Sequence, residues 1–189
     1  MDSYDKYTME SFALKTLTYS FNSKYGEYFK PINEDNFDYI SPDKNIALEV
    51  TSVRTKNEIE IHKYEKAKAK GKSKLKTGCI KDLKLDNYGN IKSYYGGSIN
   101  ELVTSIQGAI DEKQKKALKR LKNKPYKMID LCLCIDDGGM LDIFSFEIGL
   151  KNLDRYIFRS IFFITSNCFI YYNKESDFEE YNRQIDSWD

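Results

Sequence analysis

A chain of 189 residues with 41% apolar content can bury a core of its own, so a single domain over residues 1–189 is expected and a disordered chain is excluded. Its 30 Lys or Arg and 29 Asp or Glu leave a net charge of only +1, which by itself singles out no acidic partner. No apolar run is long enough to span a bilayer and the first residues do not read as a signal peptide, so a cytoplasmic protein is expected. Cys79, Cys132, Cys134 and Cys168 form no CxxC pair and read as buried free thiols of a reducing compartment. A zinc site is not supported, because Cys132 and Cys134 lack a second ligand pair and the lone His62 lies among lysines.

From Tyr7 to about Tyr25, the residues Met9, Phe12, Ala13, Leu17 and Phe21 recur at helical spacing, and Gly26 ends the pattern. Glu10 lies beside this stripe, placed either to reach inward or to serve as a first-turn carboxylate. Tyr28-Phe29-Lys30 reads as a first strand. Phe37–Ile40 and Ile46–Thr51 then read as a hairpin around the turn formers Ser41-Pro42-Asp43-Lys44-Asn45. A turn centred between Asp43 and Lys44 sets Tyr39 against Leu48, Asp38 against Glu49 and Phe37 against Val50. Phe37, Tyr39, Leu48 and Val50 then share an apolar face, and Asp38, Glu49 and Thr51 the other. Directly opposed carboxylates repel. A shared divalent cation would account for them; a solvated face with arbitrary polar residues is the bland alternative.

Residues 54–124 hold nineteen Lys or Arg against eight Asp or Glu, a local excess of +11 that leaves the remainder at −10. Such asymmetry suits a basic face for a polyanion, or a solvated lysine-rich surface. Residues 55–97 read as an insertion, helical at first and close to low complexity from Lys66 to Lys74, with tyrosine-flanked turns at Tyr88-Gly89-Asn90 and Tyr94-Tyr95-Gly96-Gly97. Ser98-Ile99-Asn100-Glu101 is a capping box that opens a helix to about Lys122. Leu102, Ile106, Ala109, Ile110, Ala117, Leu118 and Leu121 form its apolar stripe, with Gln107 and Lys113 next to it and cations crowding its second half. Pro125 stops this helix. The nearly continuous apolar run Lys127–Ile135 reads as a strand buried on both faces. Leu141–Tyr156 reads as a helix, and Ile161–Ile164 and Phe169–Tyr172 as a final strand pair. The acidic tail, about 174–189, is expected to be peripheral.

The order helix, three strands, helix, strand, helix, strand resembles the core of the PD-(D/E)XK (restriction endonuclease-like) nucleases over most of the chain, the insertion and the tail excepted. Asp38 matches the acidic residue that closes the family's second strand, Glu49-Val50-Thr51 stands where its (D/E)-x-K tripeptide belongs, and Glu10 resembles its first-helix glutamate. The resemblance implies an α/β (α+β) fold, a three-layer α/β/α core around a mixed sheet of about five strands. It implies Mg2+ or Mn2+ held by Glu10, Asp38, Glu49 and the Val50 carbonyl, and a catalytic set of Asp38, Glu49, Thr51, Gln107 and Lys113. Thr51 replaces the family lysine, so Lys113, Lys116 or Arg54 would have to supply its positive charge. Lys66, Lys68, Lys70, Lys72, Lys74, Lys116, Lys119 and Arg120 are the expected phosphate contacts.

The implied activity is metal-dependent endonucleolytic cleavage of DNA, with RNA as a further substrate. The alternative is an inactive nuclease-like fold that binds nucleic acid or protein. The expected partner is nucleic acid, DNA first, and not a membrane, with homodimerisation left open. Other chemistries lack their signatures, for there is no P-loop, no dinucleotide glycine fingerprint, no histidine pair, and no visible base for a cysteine nucleophile.

Overall fold

Apolar residues at helical spacing carry the first element of the computed structural model, which describes residues 3–32, 37–71, 77–121, 126–135, 141, 143–165 and 168–181. Helix α1 (Ser3–Ser20) buries Met9, Phe12, Ala13 and Leu17. It stops before the expected Tyr25, because the Asn22 side chain accepts from Lys24 N at 3.0 Å and starts a separate 3-10 turn over Ser23–Glu27. The expected strand at Tyr28–Lys30 is reduced to one bridge, Phe29 to Ile40.

Strands β1 (Tyr39–Ile40) and β2 (Ile46–Val53) pair antiparallel with Tyr39 against Leu48, the register the turn residues predict. Asp43 holds that turn, accepting from the Ser41 hydroxyl at 2.5 Å, Asn45 N at 3.0 Å and Asn45 Nδ2 at 2.7 Å. After β2, Thr55 and Glu58 close a capping box on α2 (Lys56–Ala69). A small hairpin follows, β3 (Lys84–Leu85) with β4 (Ile91–Ser93). Helix α3 (Ile99–Leu121) opens on the predicted box, with Ser98 N donating to Glu101 Oε2 at 2.8 Å.

Strand β5 (Met128–Ile135) runs parallel to β2 on one side and to β6 (Ser160–Ile164) on the other, and from Ile129 on it is buried on both faces, Leu131 and Leu133 in the layer under α3 and Cys132 and Cys134 in the layer under α1. Between them the expected helix over Leu141–Tyr156 is realised only as α4 (Ile143–Gly149) and a 3-10 turn at Leu153–Arg155. Asn152 in the left-handed region breaks the helical path. Strands β7 (Phe169–Asn173) and β8 (Asp177–Tyr181) complete a mixed six-stranded sheet in the order β1-β2-β5-β6-β7-β8, alongside four α-helices among the described residues. The start of the acidic tail is thus an edge strand, because Phe178 and Tyr181 pack against sheet aromatics.

Helices cover both faces of the sheet. On one, Leu102, Ile106 and Ile110 of α3 and Phe146 of α4 meet Ala47, Leu131 and Phe163. On the other, α1 packs Phe12 and Leu17 against Leu48, Cys132 and Phe162. Each such large side chain contributes about 1.5–3 kcal/mol by leaving water. Phe37 departs from expectation. The chain bends at Asp38, and Phe37 falls into the α3 layer, away from Tyr39 and Leu48. Ile61, Tyr64 and Ile80 form a third, smaller core beneath α2. Three of the four cysteines are buried free thiols as expected; Cys79 is exposed, its thiol 3.4 Å from Glu60 Oε2. No helix among the described residues is long and apolar enough to cross a membrane.

Candidate metal centre and nucleic-acid interface

Side chains alternate along β2, so with Leu48 and Val50 packed under α1, Glu49 is turned toward α3. It is buried there, 4% exposed, and meets two cations two helical turns apart. Lys113 Nζ donates to Glu49 Oε1 at 2.5 Å and Arg120 Nη1 to Oε2 at 2.7 Å. The Lys113 ammonium also lies 3.4 Å from the Val50 carbonyl, and the Arg120 guanidinium stands 5.5 Å from the Phe37 ring centroid.

Asp38 flanks the same stretch from the other strand. Because β1 begins only at Tyr39, the Asp38 carboxylate takes the place of a ladder partner and accepts from Val50 N at 2.7 Å. The repulsion between opposed carboxylates is thereby answered within the protein. Asp38 is turned to a backbone donor and Glu49 to α3. Thr51 is half-buried, on the Glu49 side of β2 by alternation.

Asp38, Glu49, the Val50 carbonyl and Lys113 therefore gather around one stretch of β2; Glu10 and Gln107 lie elsewhere. Glu10 is on the α1 face, buried and paired with Lys30 at 2.7 Å, whose ammonium also sits 5.4 Å from the Tyr39 ring centroid. Gln107 faces the segment after α4, donating to the Tyr156 hydroxyl at 2.6 Å and accepting from Lys151 N at 3.2 Å. That hydroxyl donates to Asp111. Burial first, and then the Asp111 hydrogen bond and charge, push Tyr156 up to about 12. Among the described residues, no three His, Cys, Asp or Glu converge as a metal cluster.

Of the expected phosphate contacts, Lys70 and Lys119 are exposed, Lys116 pairs with Glu112, Lys68 is bound to Asn90 and Lys66 is half-buried. Lys72 and Lys74 lie outside the described residues. Arg120 points inward to Glu49, because position 120 falls on the same side of α3 as 113. A groove of about 540 Å3 opens between α2 and α3, beyond the C-terminal end of β2. Arg54, His62, Lys63 and Lys66 line it, against Glu112 from α3. His62 is part of this groove although its lysine-rich neighbourhood gave no reason to single it out. A helix reading of α2 would have found it, since 59, 62, 63 and 66 share one helical side.

The donor set can be tested against a divalent ion. Glu49 and the Val50 carbonyl already hold an ammonium between them, and the Asp38 carboxylate borders the same backbone. These are hard oxygen donors of the kind Mg2+ or Mn2+ takes, with Lys113 as the group to be displaced. Compared with protein-family models, with curated proteins and with solved structures, the chain finds no match in any of the three.

Proposed function

We infer that this chain is a metal-dependent endonuclease with a three-layer PD-(D/E)XK (restriction endonuclease-like) core, acting on DNA and secondarily on RNA. The observation that carries this reading is the Lys113 ammonium held between Glu49 Oε1 and the Val50 carbonyl, beside Asp38. A cation from α3 thus stands next to the tripeptide position that Thr51 leaves without charge. Asp38, Glu49 and the Val50 carbonyl are the residues that would hold Mg2+ or Mn2+. When bound, such an ion polarises the phosphodiester and lowers the pKa of a water. Lys113 would then turn its charge from Glu49 toward the phosphate, where it stabilises developing negative charge. Arg54, Lys63 and Lys66 would hold the flanking backbone in the α2–α3 groove. Helices on both faces of a mixed sheet agree with such a core, and free thiols with a reducing, cytoplasmic setting.

A second reading rests on a specific observation. Both oxygens of Glu49 are engaged by cations, and Glu10 is held on the far face of the sheet. A nuclease-like fold of that kind would bind nucleic acid without cutting it.

Incubating the purified protein with supercoiled plasmid and Mg2+ or Mn2+ separates the two. Nicking that disappears in Asp38→Ala and Glu49→Gln supports hydrolysis. Failure to cut DNA or RNA with either ion, with salt-sensitive binding that persists in EDTA, rejects hydrolysis in favour of the binding module.

A further inference from the structure

At the opposite end of the sheet, on the α1 face, a cavity of about 640 Å3 opens where β5 and β6 begin. It shares no lining residue with the groove beyond β2. Behind its lining residues Tyr25 and Arg159 lies Asp130, the one acid in the apolar run of β5, which is fully buried. Tyr25 donates its hydroxyl to Asp130 Oδ2 at 2.8 Å, and Arg159 binds the same carboxylate in fork fashion, with Nε 2.9 Å from Oδ1 and Nη2 at Oδ2. Burial lifts the Asp130 carboxyl above its usual range, although Arg159 and Tyr25 pull against it. A buried ion pair rarely stabilises a fold more than apolar residues of the same volume. What the arrangement does achieve is to fix the Arg159 guanidinium in one orientation on the cavity wall, with its side chain 37% exposed.

Three further features define what would fit. Rings from Phe21, Tyr25, Tyr28 and Tyr171 border the space, Phe21 and Tyr171 with centroids 4.7 Å apart and Tyr25 and Tyr28 at 4.9 Å. The Ser160 hydroxyl and the Asn173 amide, both joined to the Tyr171 hydroxyl, offer donors and acceptors at one edge. Lys24 and Lys174, both exposed, supply the positive charge of the rim, opposed at the lining by Glu175; Arg159 and Asp130 cancel, so the guanidinium adds hydrogen-bond donors and not net charge. The volume lies within the roughly 300–1,000 Å3 of small-ligand sites. Flat apolar walls with a polar edge suit a nucleobase, and a cationic rim suits a phosphate.

We propose that this cavity binds a nucleoside monophosphate, its base against the Phe21, Tyr28 and Tyr171 rings and its phosphate at Lys24, Arg159 and Lys174. Two sources carry that chemistry, a free mononucleotide and the 5′-phosphorylated end of a strand. The test is titration of 15N-labelled full-length protein with AMP, adenosine and a 5′-phosphorylated oligonucleotide, following the amides of Tyr28, Ser160 and Asn173. Saturable shifts at these amides, tighter for AMP than for adenosine, support the proposal, and the tighter of AMP and the oligonucleotide identifies the source. Arg159→Ala would strand a buried carboxylate and endanger folding, so the decisive variant is the surface pair Lys24→Ala/Lys174→Ala. It should weaken AMP binding roughly tenfold or more. Absence of saturable shifts at millimolar AMP and oligonucleotide, or undiminished affinity in the double variant, overturns the proposal. Neither outcome depends on whether the protein cuts plasmid.

Discussion

Lys113 of α3 and Glu49 of β2, 64 residues apart in sequence, meet with Nζ 2.5 Å from Oε1 in the layer between helix and sheet. Arg120 closes on the other oxygen of the same carboxylate. The centre of the proposed site is therefore also a structural joint. Removing the carboxylate leaves two cations facing each other in a largely dry layer. Glu49→Ala is expected to lower the unfolding free energy by about 3 kcal/mol, the low end for breaking a buried pair because both cations retain some solvent. Urea unfolding followed by circular dichroism measures it. A loss below about 1 kcal/mol would mean that the pair is solvated.

Lys113 competes with any divalent ion for Glu49 and the Val50 carbonyl. Lys113→Met removes a charged hydrogen bond worth about 1.5–3 kcal/mol and keeps the stem of the side chain, so Mn2+ should bind about tenfold more tightly while plasmid nicking falls. Calorimetric titration of Mn2+ into both proteins checks the first half. Unchanged or weaker affinity would place the ion elsewhere.

The Asp43 carboxyl is held at about 2 by the Ser41 hydroxyl first, then by the Asn45 amide and side chain. Its folded value is depressed from 3.8, so its contribution to the hairpin is complete above about 3.8 and lost as pH falls through about 2. Carboxyl-detected NMR titration should find Asp43 still ionised when ordinary aspartates have protonated. Ser41→Ala should move its midpoint back up.

A Cβ at Gly149 would collide with Val103 Cγ1, where α4 closes on α3. Valine is stiff about χ1 and cannot swing clear. Gly149→Ala is expected to cost about 1–3 kcal/mol by overpacking, and Val103→Ala should relieve much of that clash in the double variant. Thermal unfolding of the four proteins in the cycle tests it.

If phosphates follow the α2–α3 groove, Arg54→Ala/Lys63→Ala/Lys66→Ala should weaken binding to any DNA sequence. It should also flatten the plot of log affinity against log salt by about 0.9 for each phosphate that is no longer neutralised. Fluorescence anisotropy at several salt concentrations reads both. An unaltered slope would clear the groove of any part in binding.

How much of this was legible in the sequence depended on how local the determining physics is. The Tyr39–Leu48 register followed from turn formers and alternation, and α3 from a box four residues long. The two-sided burial of β5 followed from an unbroken apolar run. Lys113 was identifiable by its place beside the apolar stripe of α3. Arg120, seven residues on, looked like one more surface cation because nothing local announces a buried acid across the layer. Phe37 was misplaced because alternation assumes a straight strand, and the chain bends at Asp38. The Asp130–Arg159 pair was invisible for the reason that hides most tertiary polar contacts, namely that one member comes from a strand and the other from a loop 29 residues on.

The unit formed by α2 and the β3–β4 hairpin has its own small core of Ile61, Tyr64 and Ile80, separate from the layers above and below the main sheet. Its two ends meet where Thr55 Oγ1 donates to the Gly96 carbonyl at 2.7 Å. With a core of its own and a groove between α2 and α3, this arm is expected to open without melting the rest. Its amides should trade protons for deuterium through partial unfolding, well before those of the central strands. A partner that clamps the arm would quiet that exchange in a minor part of the chain and leave the central strands as they are.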